Sequence, residues 1–572
     1  MNTDMTPELL HNIPNIWGEG AIFAFSGLDG QTDVASNFVA TFAKRPYGLL
    51  IHTPQRRCFD IVLPAQGTPQ VATGDVLLVD TPSGELAMTF CAWHTIVGHA
   101  PEQTRFRLSM ENGTAATWHD PCWVSEDAEH GDVIAAIGQG NRFALAYGRT
   151  VDEACERAYA GLGAEIDEEF SQRLAIYRSL PTLSDAGHDR LLKKCVSVMK
   201  VNTVAPEGFL QQLWSTPDRV PHKDMWLWDS VFHSLAMNHV HADVAWQFLK
   251  SMLDAQDDDG MIPHQVRPNG WKSEITQPPI LAWGVWENYQ HTKDTASLAY
   301  ALPRLERYLE WDLAHRDSNG NHLLEWAISG EPLCRSGESG LDNSSRFDKA
   351  ALLDAVDFSV FAARDMSSLA SIARALGDEA TAAKWEARAH EISQAIHTLL
   401  WNDADGFYYD RSMENTLSEI KAVTGFLPLL LDDIPAERID RLLAHLQDTA
   451  TFNTAFPIPS LAISEPTWST DMWRGATWIN MNYLIAHGLQ QHGKIREASG
   501  LIDKTIAYVQ KYYEQFGVTF EFYDAKDLVP PTECDRKGPH QEPYNFRRKM
   551  DSIRDYHWTA ALIACLLFEG QA

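Results

Sequence analysis

Near residue 150 the pattern of this 572-residue chain changes. Before that point, short β-prone runs fall at 21–25, 37–42, 48–52, 59–63, 75–79, 86–93, 106–110 and 132–137. Turn signals such as Leu28-Asp29-Gly30, Pro82-Ser83-Gly84 and Asn112-Gly113 stand between them. Strand-length runs at this spacing predict a β-sandwich over 1–149. A charged, helix-periodic stretch over 150–180 reads as a connecting helix. Helical segments then dominate, at 184–203, 229–239, 242–256, 279–292, 295–315, 354–375, 378–400, 419–431, 434–448, 473–491, 494–515 and 551–568. Six helical hairpins in a ring accommodate that number. The predicted fold is therefore mainly α, an (α/α)6 barrel over 181–572 behind the N-terminal sandwich. The length also exceeds what one ordinary core fills.

The segments between these helices carry most of the chemistry. Residues 204–228, 257–278, 316–353, 449–472 and 516–550 are rich in Trp, Gly, Pro, His and acids. Loops this long in a compact domain usually carry function. If alternate connections are the long ones, they gather on one face and build a pocket. Most of the 19 Trp lie in the second two-thirds of the chain, and indoles either fill cores or stack on sugar rings.

Several function classes are disfavoured. A formal charge of -30 repels nucleic acid and anionic lipid. No apolar run approaches the ~18 residues of a membrane span. The eight cysteines include no CxxC pair, so zinc and thioredoxin motifs are absent. Scattered cysteines suit a reducing compartment, and 1–17 show no basic-then-apolar leader. The expectation is a cytoplasmic protein without metal or organic cofactor, acting on a small molecule. The sequence carries no signal for oligomeric state.

Cleaving a glycosidic bond takes two carboxyl groups, one on each side of it. Two acids sit in suitable surroundings. Asp342 follows Glu338-Ser339-Gly340-Leu341 in the longest central loop, where the bland reading is a helix cap and turn. Glu521 stands between Phe520 and Phe522; in a strand it points opposite to its neighbours. Asp229, in Trp226-Leu227-Trp228-Asp229, is placed as an N-cap. Pro279, after Gln277-Pro278, starts a helix. Arg474, between Trp473 and Trp478 and beside Gly475, is either a planar donor at a pocket wall or an Arg stacked on Trp.

In this order, WLWDS at 226–230, TQPPILAW at 276–283, ESGLDNSSRF at 338–347, WRGATWINMNYL at 473–484 and FEFYD at 520–524 resemble clan G glycoside hydrolases. Within the clan they are similar to family 63, with its bacterial α-glucosidases and mannosylglycerate hydrolases, and to the family 37 trehalases. The resemblance covers about 220–525. It implies inversion at the anomeric carbon, with Asp342 as general acid and Glu521 as general base. Trp228, Asp229, Gln277 and Arg474 would line the subsite for the cleaved sugar. The motifs add Trp226, Trp283, Glu338, Trp473, Gly475 and Trp478 as candidate substrate-binding residues, and Arg335, just before the third motif, is a further one.

The segment 551–559 departs from the shorter Gly-Trp-Ser/Thr motif of many relatives. The loop Cys534-Asp535-Arg536-Lys537-Gly538-Pro539-His540 also looks individual. The expected activity is exo-hydrolysis of a small α-glucoside, or α-mannoside, or an oligosaccharide. The rivals are a trehalase or another (α/α)6 glycosidase, a phosphorylase on the same barrel, and a non-catalytic carbohydrate-binding protein on a decayed scaffold.

Overall fold

A computed structural model describes residues 12–43, 47–331, 334–335, 337–540 and 551–570. The chain divides into two compact units. The first comprises Met1–Lys223, Gln510–Thr519 and Arg554–Ala560; the second comprises Asp224–Val509, Phe520–Ile553 and Ala561–Ala572. The protein is mainly helical, and its extended sheets lie in the N-terminal region.

Two antiparallel sheets form the first unit. Five strands run in the order β1 (Ile22–Phe23), β2 (Ala40–Phe42), β3 (Leu49–Ile51), β4 (Arg57–Val62), β9 (Arg105–Met110). Eight run in the order β10 (Thr117–His119), β11 (Cys122–Asp127), β12 (Asp132–Gln139), β13 (Arg142–Gly148), β8 (Thr95–His99), β7 (Gly84–Ala92), β6 (Val76–Thr81), β5 (Thr68–Ala72). Phe23 meets Phe90, and Phe59 and Phe106 meet Phe143, so rings from the two sheets share one core. The later segment joins this unit through charge. Asp555, buried, pairs with the buried Lys194 ammonium at 2.8 Å and accepts the backbone N–H of Ile22 at 3.0 Å. The stretch 150–180 is two helices, α1 (Val151–Gly161) and α2 (Ile166–Arg178), instead of one connector. A third helix, α3 (Ala186–Val201), completes this part of the unit.

Helices dominate the second unit. The long α4 (Leu227–Asp254) comprises the two helices expected at 229–239 and 242–256, broken at His241, whose φ of -157° and ψ of 85° are not helical. It is followed by α5 (Leu281–Thr292), α6 (Thr295–His315), α7 (Val356–Ala375), α8 (Glu379–Leu399), α9 (Ala436–Gln447) and α10 (Ile479–Gln491), and then by α11 (Ile495–Phe516) and α12 (His557–Glu569), whose residues 510–516 and 557–560 belong to the first unit. Local chemistry sets several ends. Asp378 caps α8, its carboxylate accepting the Thr381 N–H at 3.0 Å. Ala382, Trp385, Ala389, Ile392 and Ile396 then form the buried stripe of that helix. The apolar run 419–431 is a 3-10 helix over Val423–Leu430 with Pro428 inside it, which has no N–H to continue an α-helix. Among the described residues, no helix is long and apolar enough to cross a membrane.

Candidate active site

The segment 337–348 is pinned from several sides. Glu338 is fully buried, and its carboxylate accepts from Arg316 (Nη2 at 2.8 Å), from the Thr276 N–H and from the Ala327 N–H. Its oxygens hold three chain segments together. Gly340 has φ +71°, and a Cβ there would stand 2.3 Å from Cζ2 of the Trp228 indole. The Asn343 amide donates to Asp471 at 2.8 Å and its Oδ1 accepts the Trp473 N–H at 3.0 Å. Arg346, buried, forks onto Asp357 (2.6 and 2.8 Å) and Asp410 (2.7 and 2.9 Å). From Leu341 to Phe347, Asp342 alone is not fully buried; a quarter of its side chain is exposed. The loop is rigid around one accessible carboxyl.

G340A is expected to lower the denaturation midpoint and kcat together. It forces a left-handed backbone angle on a residue with Cβ, at about 1–2 kcal/mol, besides displacing Trp228. Urea melts beside kinetics on a released-sugar assay check this. An unchanged midpoint would mean the loop is not seated on the indole.

Glu521 is placed differently from expectation. Residues 520–524 make isolated bridges instead of a strand, Tyr523 pairing with Thr477, while the Glu521 N–H donates to the Ile553 carbonyl at 2.8 Å. Phe520, Glu521, Phe522 and Tyr523 are all buried, so there is no solvent face. The carboxylate is compensated by the buried Arg536, whose Nε and Nη2 donate to its two oxygens at 2.6 and 2.9 Å. This bidentate fork is the strong geometry for such a pair. The next residue, Lys537, sends its ammonium to Asp342 at 2.9 Å. One loop thus presents adjacent cations to both candidate carboxyls, which stand 179 positions apart in sequence. Asp471 anchors the loop by accepting the Lys537 and Gly538 N–H groups at 2.9 and 3.0 Å. Burial pushes the Asp471 carboxyl above the usual range, against the pull of these donors.

The remaining candidates fall into two groups. Trp226, Trp228, Asp229 and Gln277 cluster at the start of α4. Trp226 pairs in a two-stranded ribbon with Gln265 and stays half-buried. The Gln277 amide oxygen accepts the Trp228 N–H at 3.3 Å, and so caps the helix. Asp229 lies inside the first turn, where its charge suits the helix dipole, so it is not the N-cap. Pro279 precedes α5 by two residues. Trp473 and Trp478 stack on each other at 3.9 Å and 2°, both buried, with Phe522 against Trp478. Together the three rings make a buried aromatic stack, and Trp228 is buried to the same degree. Arg474 pairs with Asp348 at 2.8 and 3.0 Å instead of stacking on Trp. A Cβ on Gly475 would strike the Ser469 carbonyl and the Trp468 indole. Trp283 turns away from this cluster: with Glu287, Arg364 and Asp432 it lines a different cavity of about 520 Å3. The Arg335 side chain lies outside the described residues.

Sequence reasoning missed His264. It packs edge-on against Trp226 at 5.2 Å, and its Nδ1 lies 2.5 Å from the Ser273 hydroxyl. Burial pushes its ionisation down to about 4, against the opposing charge of nearby Asp342. A histidine with its folded value below the ordinary one destabilises the fold as pH falls from about 6.5 toward 4. In that window the unfolded chain takes up a proton that the folded chain does not.

The second unit is thus a helical domain in which one loop pairs with both candidate carboxyls. The chain belongs to the family defined by the mannosylglycerate hydrolase MGH1-like glycoside hydrolase domain, which matches residues 221–527, more than half its length. It is a clan G enzyme of the family 63 type, related to the trehalases. A Borreliella burgdorferi protein of uncharacterised function is 29% identical over 40% of this chain, which spans 47% of that protein. A mannosylglycerate hydrolase from Thermus thermophilus is 26% identical over 52% of this chain and 88% of its own. A periplasmic trehalase from Escherichia coli is 23% identical over 53% and 61%. In fold, the chain is similar to the family 63 mannosylglycerate hydrolase of Thermus thermophilus solved with glucose, with TM-score 0.54, 23% identity, 66% of this chain and all of that one. It is also similar to a bacterial glucoamylase solved with acarbose, with TM-score 0.59 and 12% identity over 97% and 96% of the two chains.

Proposed function

We propose that this protein is an inverting, exo-acting α-glycosidase. Its helices would form an (α/α)6 barrel, with the N-terminal sheets as a β-sandwich. The substrate would be an α-linked hexose on a small anionic aglycone of the glycerate type. Asp342 donates a proton to the glycosidic oxygen, and Glu521 deprotonates the attacking water from the opposite side. Trp228, Asp229 and Gln277 line the subsite of the cleaved sugar. The observation that carries this reading is the delivery of Arg536 and Lys537, neighbours in one loop, to Glu521 and Asp342. Arg536 holds both oxygens of Glu521 in a bidentate pair. Lys537 occupies Asp342, the group that must hold and donate the proton. An anionic aglycone resolves the conflict, because its carboxylate draws the ammonium off Asp342 and frees that group to hold its proton. The relatives named for mannosylglycerate support the same aglycone.

Lys537→Ala is expected to lower kcat/KM on a glycerate glycoside by more than tenfold and to spare neutral aglycones. Equal losses on charged and neutral aglycones would remove the anion-binding role. The function itself is tested on a panel of α-mannosylglycerate, α-glucosylglycerate, trehalose and maltose. Release from a glycerate glycoside is expected to dominate. Release from trehalose alone would make the enzyme a trehalase.

A further inference from the structure

A second constellation lies at the other end of the helices that carry the candidate site. It is about 16 Å down α4 from Trp228, at 1.5 Å of rise per residue. His239 stands there, just before the kink at His241, where the helix stops being regular. Cys565 and Glu569 lie one turn apart on α12, so they share a face. The donor atoms of His239, Cys565 and Glu569 all lie within 4.8 Å of one another. On α10, Tyr483 and His487 are likewise one turn apart and face the same carboxylate. The Tyr483 hydroxyl donates to Glu569 Oε1 at 3.1 Å, and His487 Nε2 is 3.3 Å from Oε2. The His239 ring stacks on Phe568 at 4.9 Å and meets His291 edge-on at 4.8 Å.

We propose that His239, Cys565 and Glu569 form a structural site for a borderline divalent cation of the zinc class, with His487 and Tyr483 orienting Glu569. The mixed nitrogen, sulfur and oxygen set is the kind zinc accepts, and calcium or magnesium would require oxygens. Outer partners such as His487 and Tyr483 are what metal-binding carboxylates ordinarily have. Without a cation, a buried thiol and a carboxylate crowd one another. Zinc bonds of about 2.0–2.3 Å require the three donors to draw in by about 1 Å. Two of them sit where that is easy: His239 beside a kink, and Glu569 as the last residue of its helix. His239 is exposed, which gives the ion a way in. The ion would fasten α12, near the chain end, to α4. Binding releases the thiol proton, so affinity rises with pH.

The test uses full-length protein stripped with a chelator and then given Co2+. One Co2+ per chain should stay bound through gel filtration. A thiolate-to-cobalt charge-transfer band should appear in the near ultraviolet, and equimolar Zn2+ should bleach it. Cys565→Ser and His239→Ala should both abolish the band. The second variant guards against misfolding, because it alters an exposed side chain. Zn2+ should raise the melting temperature of the unaltered protein and not of His239→Ala. Substoichiometric retention of less than about a tenth of an equivalent would overturn the assignment. So would a band that survives in both variants, because it would belong to another of the cysteines.

Discussion

Asp342→Asn is expected to lower kcat by about 10²–10⁴-fold and to leave the melting temperature nearly unchanged. The side chain is a quarter exposed and its partner Lys537 is itself near solvent, so little stability rests on that pair. Glu521→Gln should lose as much rate, with a second consequence. It removes the counter-charge of Arg536, a buried guanidinium, and breaking a buried pair costs about 3–5 kcal/mol. Activity must therefore be measured well below each variant's own melting transition. A Glu521→Gln enzyme that is folded, by circular dichroism, and near-normal in turnover would remove Glu521 from the chemistry.

Arg346→Met is expected to be the most destabilising single change in the segment. It leaves Asp357 and Asp410 facing one another without their shared cation, again at about 3–5 kcal/mol. Arg346 is four residues from Asp342, so the loop should loosen and kcat fall even where the protein remains folded. Urea denaturation gives the stability loss directly. A loss below about 1 kcal/mol would mean the two carboxylates find protons or other donors.

Much of the helical region could be read in advance, because its amphipathic helices have caps and a clear period. The segment 295–315 matches α6 end to end. Errors arose where tertiary contacts override local pattern. The expected helix 473–491 starts only at Ile479, since Gly475 at φ +153° breaks the chain after a 3-10 turn. The helix expected at 551–568 starts at His557, because Ile553 is held by Glu521. Strand β13 was missed: buried almost throughout, Arg142–Gly148 shows no alternation to mark it. Strand β8 follows β7 with no Gly or Pro between, so the turn left no trace.

At the candidate site the acids and their motifs were visible and their partners were not. Nothing in local spacing ties Lys537 to Asp342 or Arg536 to Glu521; only the folded loop does. That loop stood out solely as individual. His264 was invisible because a lone histidine between a proline and a glutamine carries no pattern. An aromatic near a candidate acid reads equally as a sugar platform or as core, and Trp473, Trp478 and Trp283 are buried as Trp228 is.

The central claim is acid–base hydrolysis by Asp342 and Glu521 with inversion. It is tested most directly by following the anomer first released from an α-glycoside by proton NMR, before mutarotation. The β-anomer should appear first, with the α-anomer growing in later, as water activated from the face opposite the acid requires. The α-anomer appearing first would show retention and contradict it.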